Sequence, residues 1–214
     1  MTPAILFQDA RALVLDKPAG LKVHPGPRGG SSVEDWFPAL RFGRRDGPWL
    51  AHRLDADTSG CLVLARTKTA LRMMQAAFAA GAVRKTYWAI VRGGPDAESG
   101  TVTAKLLKRT ARTGWRMVVD PAGQDAITEW RVGGRGPSAA WLILSPHTGR
   151  THQLRVHCAH LGCPIIGDAV YGAAGPKLHL MSRAITVPLD PPVTAVAPPP
   201  PHMQAALRAC GARW

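Results

Sequence analysis

Short apolar runs, most of them ended by glycine or proline, dominate the hydrophobic pattern of this chain. Ala12–Leu15 and Cys61–Ala65 are continuous apolar runs, which is typical of strands that are buried on both faces. Thr86–Val91 combines β-branched, aromatic and apolar residues, so it predicts a central strand, which Gly93 and Pro95 end. Further strands are predicted at residues 100–106, 115–119, 126–132, 140–144 and 177–180.

Helical spacing of apolar residues is clearest in Thr67–Ala80, and Gly81 is placed to end that helix. The serine pair before Val33 is positioned to cap another helix, whose length Pro38 limits. A loop rich in glycine and proline is predicted at residues 23–30. Two more helices are predicted at residues 150–161 and around residues 203–209.

Predicted strands outnumber predicted helices and do not alternate with them regularly. This pattern favours the α+β class, with a mixed, largely antiparallel central sheet flanked by helices. A chain of 214 residues can form one large domain or two small ones. We expect a single domain over residues 1–214, in which a proline-rich tail from about residue 188 packs on the body.

Charge indicates the class of partner. The chain has 27 Lys and Arg residues against 14 Asp and Glu residues, a formal net charge of +13, and arginine outnumbers lysine. Such a field favours a polyanion, with RNA or DNA as the first candidate, and arginine suits bidentate phosphate contacts. The alternative is a soluble basic protein with no nucleic-acid partner.

The four cysteines, at positions 61, 158, 163 and 210, form no CxxC pair and no even spacing. They indicate neither a disulfide framework nor a thiolate zinc site, and we expect them to be small core residues. No stretch of about 20 apolar residues predicts a membrane span, and the N-terminal residues do not have a secretory pattern. We therefore expect a cytoplasmic protein that does not bind membranes.

Chemistry is most strongly indicated by the stretch His52–Gly60, which places Asp55 and Asp57 immediately before a buried strand. Such aspartates can be turn residues or members of a surface ion pair. Alternatively, a carboxylate on a loop at the mouth of a buried strand can be reactive, provided that it has partners.

Candidate partners for the acid occur in two later segments. If Arg155 in Gly149–His157 reaches Asp55, the carboxylate stays ionised, because a nearby opposite charge favours the charged form. An ionised acid is a nucleophile or a base. Tyr87 on the predicted central strand is either a core residue with its hydroxyl tied off, or an aromatic that stacks on a base and exchanges a proton.

A metal site is the competing interpretation of the histidine-rich region. His147, His152, His157 and His160 lie near Cys158 and Cys163 in the sequence. His152 and His157 miss the four-residue spacing that aligns ligands on one helical face, and no HExxH pattern occurs. No GxxxxGK-type phosphate loop is present either, so we expect neither a metal nor a nucleotide cofactor.

Several blocks, taken together in their order, resemble the RluA-type pseudouridine synthases. They are Asp16–Pro25, His52–Gly60, Arg84–Val91, Thr148–His157, and Gly162–Asp168 with Tyr171 and Gly172. The resemblance implies an RNA isomerase without cofactor or metal, which detaches uracil from its ribose, rotates it and rejoins it through carbon 5.

The resemblance also implies roles for individual residues. Asp55 would be the catalytic aspartate, Tyr87 the tyrosine under the flipped base, and Arg155 the basic partner of the aspartate. Arg53 would fill the space left by the extruded nucleotide, and Leu154 would line the pocket. The remaining residues expected to bind substrate lie in the same blocks: His52, Leu54, Arg150, His152 and Gln153.

Many relatives carry a small RNA-binding domain ahead of the first block, whereas here that block begins at Asp16. We therefore expect no separate N-terminal RNA-binding domain, a monomer, and a compact substrate such as a transfer or ribosomal RNA stem-loop. Which uridine is modified stays open, as does whether Asp55 attacks carbon 1 of the ribose or deprotonates carbon 2. The alternatives are an RNA-binding module without catalysis and a metal-dependent nuclease.

Overall fold

A computed structural model describes residues 3–26, 29–112 and 114–214. The chain forms two compact units. The first contains Met1–Lys85 and Ser182–Pro200, and the second contains Thr86–Met181 and Pro201–Trp214. The prediction of one domain over residues 1–214 stays a prediction.

The first unit is built around a buried antiparallel sheet. Its strands are β1 (Ala4–Gln8), β2 (Ala12–Lys17), β3 (Trp49–Leu50) and β4 (Ser59–Ala65). β2 lies between β1 and β4, and β3 also pairs with β4. Every residue of β4 is buried, as its continuous apolar run predicts.

Helix α1 (Lys68–Ala79) follows β4 and confirms the predicted helix. Thr67 caps it by accepting a hydrogen bond from the backbone N–H of Ala70 (3.0 Å), and Gly81 follows its end with φ of +68°. The helix expected at Val33 is instead a 3₁₀ helix, Val33–Trp36, followed by a second one, Ala39–Arg41. Both segments are too short for an α-helix.

The second unit contains a long antiparallel sheet in the order β5-β9-β8-β6-β7. The bounds are β5 (Arg84–Arg92), β6 (Ser99–Ala111), β7 (Gly114–Val119), β8 (Gln124–Arg135) and β9 (Ala139–Pro146). The apolar residues of β5 and β9 form its core together with helix α2 (Gln153–His160).

Helix α2 is shorter than the predicted 150–161 because His152 has a φ of +53°, which no α-helical residue adopts. The strand expected at residues 177–180 lies later, as β10 (Leu180–Val187). The chain passes between the two units three times: within β5, within β10 and between residues 200 and 201.

The proline-rich tail contributes buried structure. β11 (Val193–Val196) pairs with β10 in the first unit, and helix α3 (Pro201–Ala209) buries Met203 and Leu207 in the second. The predicted α+β class with a largely antiparallel sheet is confirmed. The predicted loop at 23–30 includes positions 27 and 28, which lie outside the described residues.

All four cysteines are free and buried, as predicted. Burial raises the pKa of the Cys61 thiol to about 12, so this thiol is an inert core group at neutral pH. Among the described residues, no helix combines the length and the apolar character needed to cross a membrane.

The first residues of β4 depend on the glycine at position 60, and a substitution there tests the packing. Gly60 has φ of +100°, and a Cβ atom would collide with the backbone carbonyl of Ser182. We expect Gly60→Ala to lower the free energy of unfolding by more than about 3 kcal/mol, measured by urea denaturation. Gly20→Ala is the matched control, because Gly20 has φ of +90° with open space around it, so only backbone strain of about 1 kcal/mol arises. Equal losses in the two variants would contradict the packing argument.

Candidate active site

Backbone hydrogen bonds hold the loop that carries Asp55, which joins β3 to β4 in the first unit. The N–H of Thr58 donates to the carbonyl of Asp55 (3.1 Å), closing a turn. The N–H of Gly20 donates to the carbonyl of Ala56 (2.9 Å), which ties the turn to the segment after β2. The backbone at Asp55 and at the residue after it is therefore fixed.

Side chains of this loop differ in exposure. Leu54 is buried and Asp55 is half-buried, whereas Arg53 and Asp57 are exposed to solvent. The exposed arginine is accessible from solvent, and the half-buried carboxylate is partly shielded from water.

A buried ammonium group lies beneath the loop. Lys17, at the end of β2, is fully buried, and its Nζ donates to the carbonyls of Pro18 (2.9 Å), Leu21 (2.7 Å) and Ala56 (2.8 Å). Burial lowers the pKa of Lys17 to about 8, against the opposing effect of the two carboxylates of the loop. Sequence reasoning quoted Lys17 in the first block but assigned it no role.

His52 connects the start of the loop to β4. The backbone N–H of Val63 donates to its Nε2 (3.0 Å), and its ring stacks on Phe78 with centroids 4.8 Å apart. Burial lowers the pKa of His52 to about 4, and the charge of Lys85 acts in the same direction. The ring is therefore neutral and supports the loop, and its predicted contact with substrate stays a prediction.

Tyr87 and Leu154 belong to the hydrophobic core of the second unit. Tyr87 lies on β5 opposite Leu144 of β9, and it is partly buried against the core. Leu154 is buried in the same core, in the first turn of α2. The structure thus brings these two predicted pocket residues into one apolar cluster.

Arg155 is held by an acid that the sequence interpretation did not assign. The residue Arg155 is 5% exposed, and its Nε and Nη2 atoms donate to the two carboxylate oxygens of Asp168, both at 2.7 Å. Because Asp168 occupies that edge of the guanidinium group, any further acceptor must approach Arg155 from the Nη1–Nη2 edge. The only sequence signal for Asp168 was its presence in the block Gly162–Asp168.

Asp168 is ionised despite its burial. Burial alone would raise the pKa of Asp168, but the two hydrogen bonds from Arg155 and its charge outweigh that effect. The backbone N–H groups of Val170 (3.0 Å) and Tyr171 (3.1 Å) also donate to this carboxylate. The net result is a lowered pKa, so the pair consists of a full cation and a full anion at neutral pH.

His152 orients the other side of Arg155. The Nη1 atom of Arg155 lies 3.3 Å from His152 Nε2, and Tyr171 Oη lies 2.9 Å from His152 Nδ1. A guanidinium group can only donate, so Nε2 accepts and Nδ1 donates to the tyrosine hydroxyl. Trp115 stacks on the outer side of the His152 ring, with centroids 5.0 Å apart.

Gln153 fixes the turn that precedes α2. Its amide nitrogen donates to the carbonyl of Ile127 (3.0 Å) and to Thr128 Oγ1 (2.9 Å). Its amide oxygen accepts from Thr148 Oγ1 (2.7 Å) and from the N–H of Arg150 (3.0 Å). This geometry gives Gln153 a structural role, and direct contact of Gln153 or Arg150 with substrate stays a prediction.

The histidine-rich region contains hydrogen-bonded side chains. Within residues 3–26, 29–112 and 114–214, no three His, Cys, Asp or Glu side chains converge as metal ligands. His157 lies 2.9 Å from Thr128 Oγ1, and burial lowers the pKa of His157 to about 4.

Known proteins with similar sequences and similar folds have names that refer to the same activity. The family model described as RNA pseudouridylate synthase matches residues 11–160. A Zymomonas mobilis protein named "Uncharacterized RNA pseudouridine synthase" is 43% identical over 204 residues, which cover 92% of this chain and 93% of that protein.

Two further relatives extend the comparison. Ribosomal large subunit pseudouridine synthase C of Vibrio cholerae is 41% identical over 171 residues, covering 78% of this chain and 52% of that protein. The chain thus spans about half the length of this relative. The structure of Human RNA Pseudouridylate Synthase Domain Containing 4 superposes with a TM-score of 0.85 at 28% identity, covering 99% of this chain and 94% of that one. The chain therefore belongs to the RNA pseudouridylate synthase family.

Proposed function

We propose that this RNA pseudouridine synthase isomerises uridines of ribosomal RNA, and that the Asp55 carboxylate is the group that acts on the ribose. The observation that carries the proposal is the support of the Asp55 loop by the buried Lys17 ammonium. Ribosomal RNA is the preferred substrate because relatives from several bacteria are named for the large ribosomal subunit.

The reaction would be an isomerisation in which no atom is gained or lost overall. The bond between carbon 1 of the ribose and N1 of uracil breaks, and a bond between that carbon and carbon 5 of uracil forms. The proton on carbon 5 leaves, and N1 gains one. Asp55 would act on the sugar, and Tyr87 or a water molecule would take the carbon-5 proton as general base.

Substrate binding would use the excess positive charge of the protein. A target uridine must leave its stack before an enzyme can surround it, which costs a few kcal/mol. Contacts between arginines and phosphates offset that cost, and the net charge of +13 provides a field for them. We further propose that the protein acts as a monomer in the cytoplasm, on a compact stem-loop.

Arg155 would serve as a rigid basic partner in this chemistry. Its two hydrogen bonds to Asp168 and its contact with His152 leave the guanidinium group little freedom to rotate. A catalytic group that is already held in place does not have to be ordered during the reaction.

The first prediction concerns the catalytic acid. Asp55→Asn should abolish pseudouridine formation, because the amide can neither attack the sugar nor accept its proton, while RNA affinity stays within a few-fold of wild type. The assay measures tritium released from a large-subunit ribosomal RNA transcript labelled at carbon 5 of uridine. Asp57→Asn is the matched control, since this exposed acid of the same loop should be dispensable. Full activity of Asp55→Asn would refute the assignment, and release from transfer RNA alone would refute the choice of substrate.

The second prediction concerns Lys17. Lys17→Met leaves three carbonyls without their donor, so the free energy of unfolding should fall by about 2 kcal/mol or more, and kcat should fall more than KM rises. The pKa of Lys17 falls from 10.5 to about 8 on folding, so between these two pH values the Lys17 amine is more protonated in the unfolded chain than in the folded one. The free energy of unfolding of the wild type, relative to that of the variant, should therefore increase from pH 8 to pH 10.5. A pH-independent difference would contradict the burial of a charged amine.

The third prediction concerns the Arg155–Asp168 pair. Asp168→Asn removes the buried carboxylate that forms two hydrogen bonds with the Arg155 guanidinium group, so the free energy of unfolding should fall by about 3–5 kcal/mol. Glu98→Gln, which breaks the exposed pair with Arg135, should have little effect on the free energy of unfolding.

The effect of Asp168 on stability should also depend on pH. The pKa of Asp168 lies below its ordinary value of 3.8, so its contribution to the free energy of unfolding is present above that value and is lost as pH falls through the folded-state pKa. Urea denaturation from pH 7 to pH 2.5 measures the difference, and similar losses in both variants would contradict the prediction.

A further inference from the structure

The loop Arg41–Arg45 displays an aromatic ring on a strained backbone. Phe42 has φ of +47° and ψ of +55°, in the left-handed region, and it is 47% exposed. A bulky residue other than glycine is an outlier in that region. Packing in the core does not explain the strain, because the ring is at the surface, and strained positions of this kind concentrate at ligand-binding sites.

A guanidinium group lies against one face of this ring. The Cζ atom of Arg66 is 5.6 Å from the centroid of Phe42. Arg66 follows β4, and its backbone N–H donates to the carbonyl of Arg11 (2.7 Å). Its buried Nε has no hydrogen-bond acceptor in the described part of the chain. The charge beneath the ring is therefore incompletely compensated.

A second arginine adds like charge at the same place. The Nη2 atom of Arg44 donates to the carbonyl of Ala10 (2.9 Å), while Nη1 of Arg66 donates to the carbonyl of the preceding residue, Asp9. Burial and then the charge of Arg44 lower the pKa of Arg66, and together they outweigh the opposite effect of the Asp9 carboxylate. An anion between such groups would relieve their repulsion.

The surrounding residues add to the excess of positive over negative charge near Phe42. Arg11 is paired with Asp9 at 2.8 Å, so these two charges largely cancel. Arg41 and Arg45 are exposed and lie close to Phe42 in the sequence, and the residue that follows this loop, Asp46, is an exposed acid. Arginines thus outnumber acids around an exposed aromatic ring, a combination typical of surfaces that bind single-stranded nucleic acid.

We infer that Phe42, Arg44 and Arg66 form a second RNA-binding site, which takes an unpaired nucleotide. The base stacks on the outer face of Phe42, Arg66 supports the inner face, and Arg44 binds the phosphate together with Arg41 or Arg45. The choice of RNA as ligand rests on the proposed function.

This site lies away from Asp55 within the same unit. Asp55 precedes the first residue of β4 and Arg66 follows its last residue, so the length of the strand separates these two residues. At about 3.3 Å per residue, the separation is roughly 20 Å. One nucleotide cannot contact both places, so the second site holds a part of the RNA that flanks the reacting uridine.

The experiment separates binding from folding through the strain at Phe42. Phe42→Gly relieves the left-handed strain, so the Tm should rise by a few degrees, while the affinity for a fluorescein-labelled 20-nucleotide oligouridylate should fall about tenfold. Phe42→Trp should keep wild-type affinity because the indole also stacks. Arg44→Gln should reduce the slope of log affinity against log salt concentration by about 0.7. Arg72→Gln, on the exposed face of α1, is the matched control and should leave the slope close to wild type.

Each outcome bears on the site or on the catalytic proposal. Unchanged affinity in Phe42→Gly would overturn the site, and a fall in both Tm and affinity would show that Phe42 only supports the fold. On the ribosomal RNA transcript, Phe42→Gly should raise KM and leave kcat unchanged. Oligouridylate binding that depends on Phe42, without any pseudouridine formation by wild type, would overturn the proposed function and keep this site. Pseudouridine formation by the wild type, together with oligouridylate binding that does not depend on Phe42, would overturn this site and keep the proposed function.

Discussion

The buried ammonium of Lys17 is the interaction on which the proposed catalytic loop depends. A charged amine without partners is expensive to bury, so it needs the three carbonyls that surround it. One of these carbonyls belongs to Ala56, next to the proposed catalytic acid. The same contacts that make burial of Lys17 tolerable therefore restrict the position of Asp55, which is the preorganisation that electrostatic catalysis requires.

The second unit also contains a buried cation, but a different kind of group compensates its charge. Arg155 is a buried cation whose compensation comes from a full carboxylate, Asp168, instead of carbonyl dipoles. A bidentate pair fixes the plane of the guanidinium group, which three carbonyls around an ammonium group cannot do. This difference suits the proposed roles, since Lys17 has to stabilise a loop whereas Arg155 has to present one edge in a defined direction.

The sequence pattern alone predicted those elements whose structure depends on residues that are neighbours in the chain. The buried run of β4, the capped helix α1 and the apolar strand β5 were all predictable, because their residues alone set period, cap and burial. The start of α2 was not, because the left-handed His152 is held by contacts with Tyr171 and Trp115 from distant segments. β11 was missed because its pairing with β10 outweighs the proline-rich composition around it.

The same distinction applies to the candidate site. Asp55, Tyr87 and Arg155 lie in recognisable blocks, so their candidacy follows from sequence, although their roles stay predictions. Lys17 and Asp168 are also in those blocks, but only the folded chain shows which groups they contact.

Three of the described residues break a local rule: Lys17 is a fully buried lysine, and His152 and Phe42 are left-handed residues other than glycine. Sequences that fold reliably satisfy such rules nearly everywhere, so exceptions concentrate where selection acts on something besides stability. For Lys17 and His152 the structure supplies a compensating contact inside the protein, a set of carbonyls or a bonded ring. Among the residues that the structure describes, Phe42 gains the Arg66 guanidinium group, whose buried Nε has no acceptor there. The compensation for Phe42 is therefore best sought outside the chain, and a stacked nucleotide with its phosphate supplies both an aromatic surface for the ring and a negative charge for the arginines.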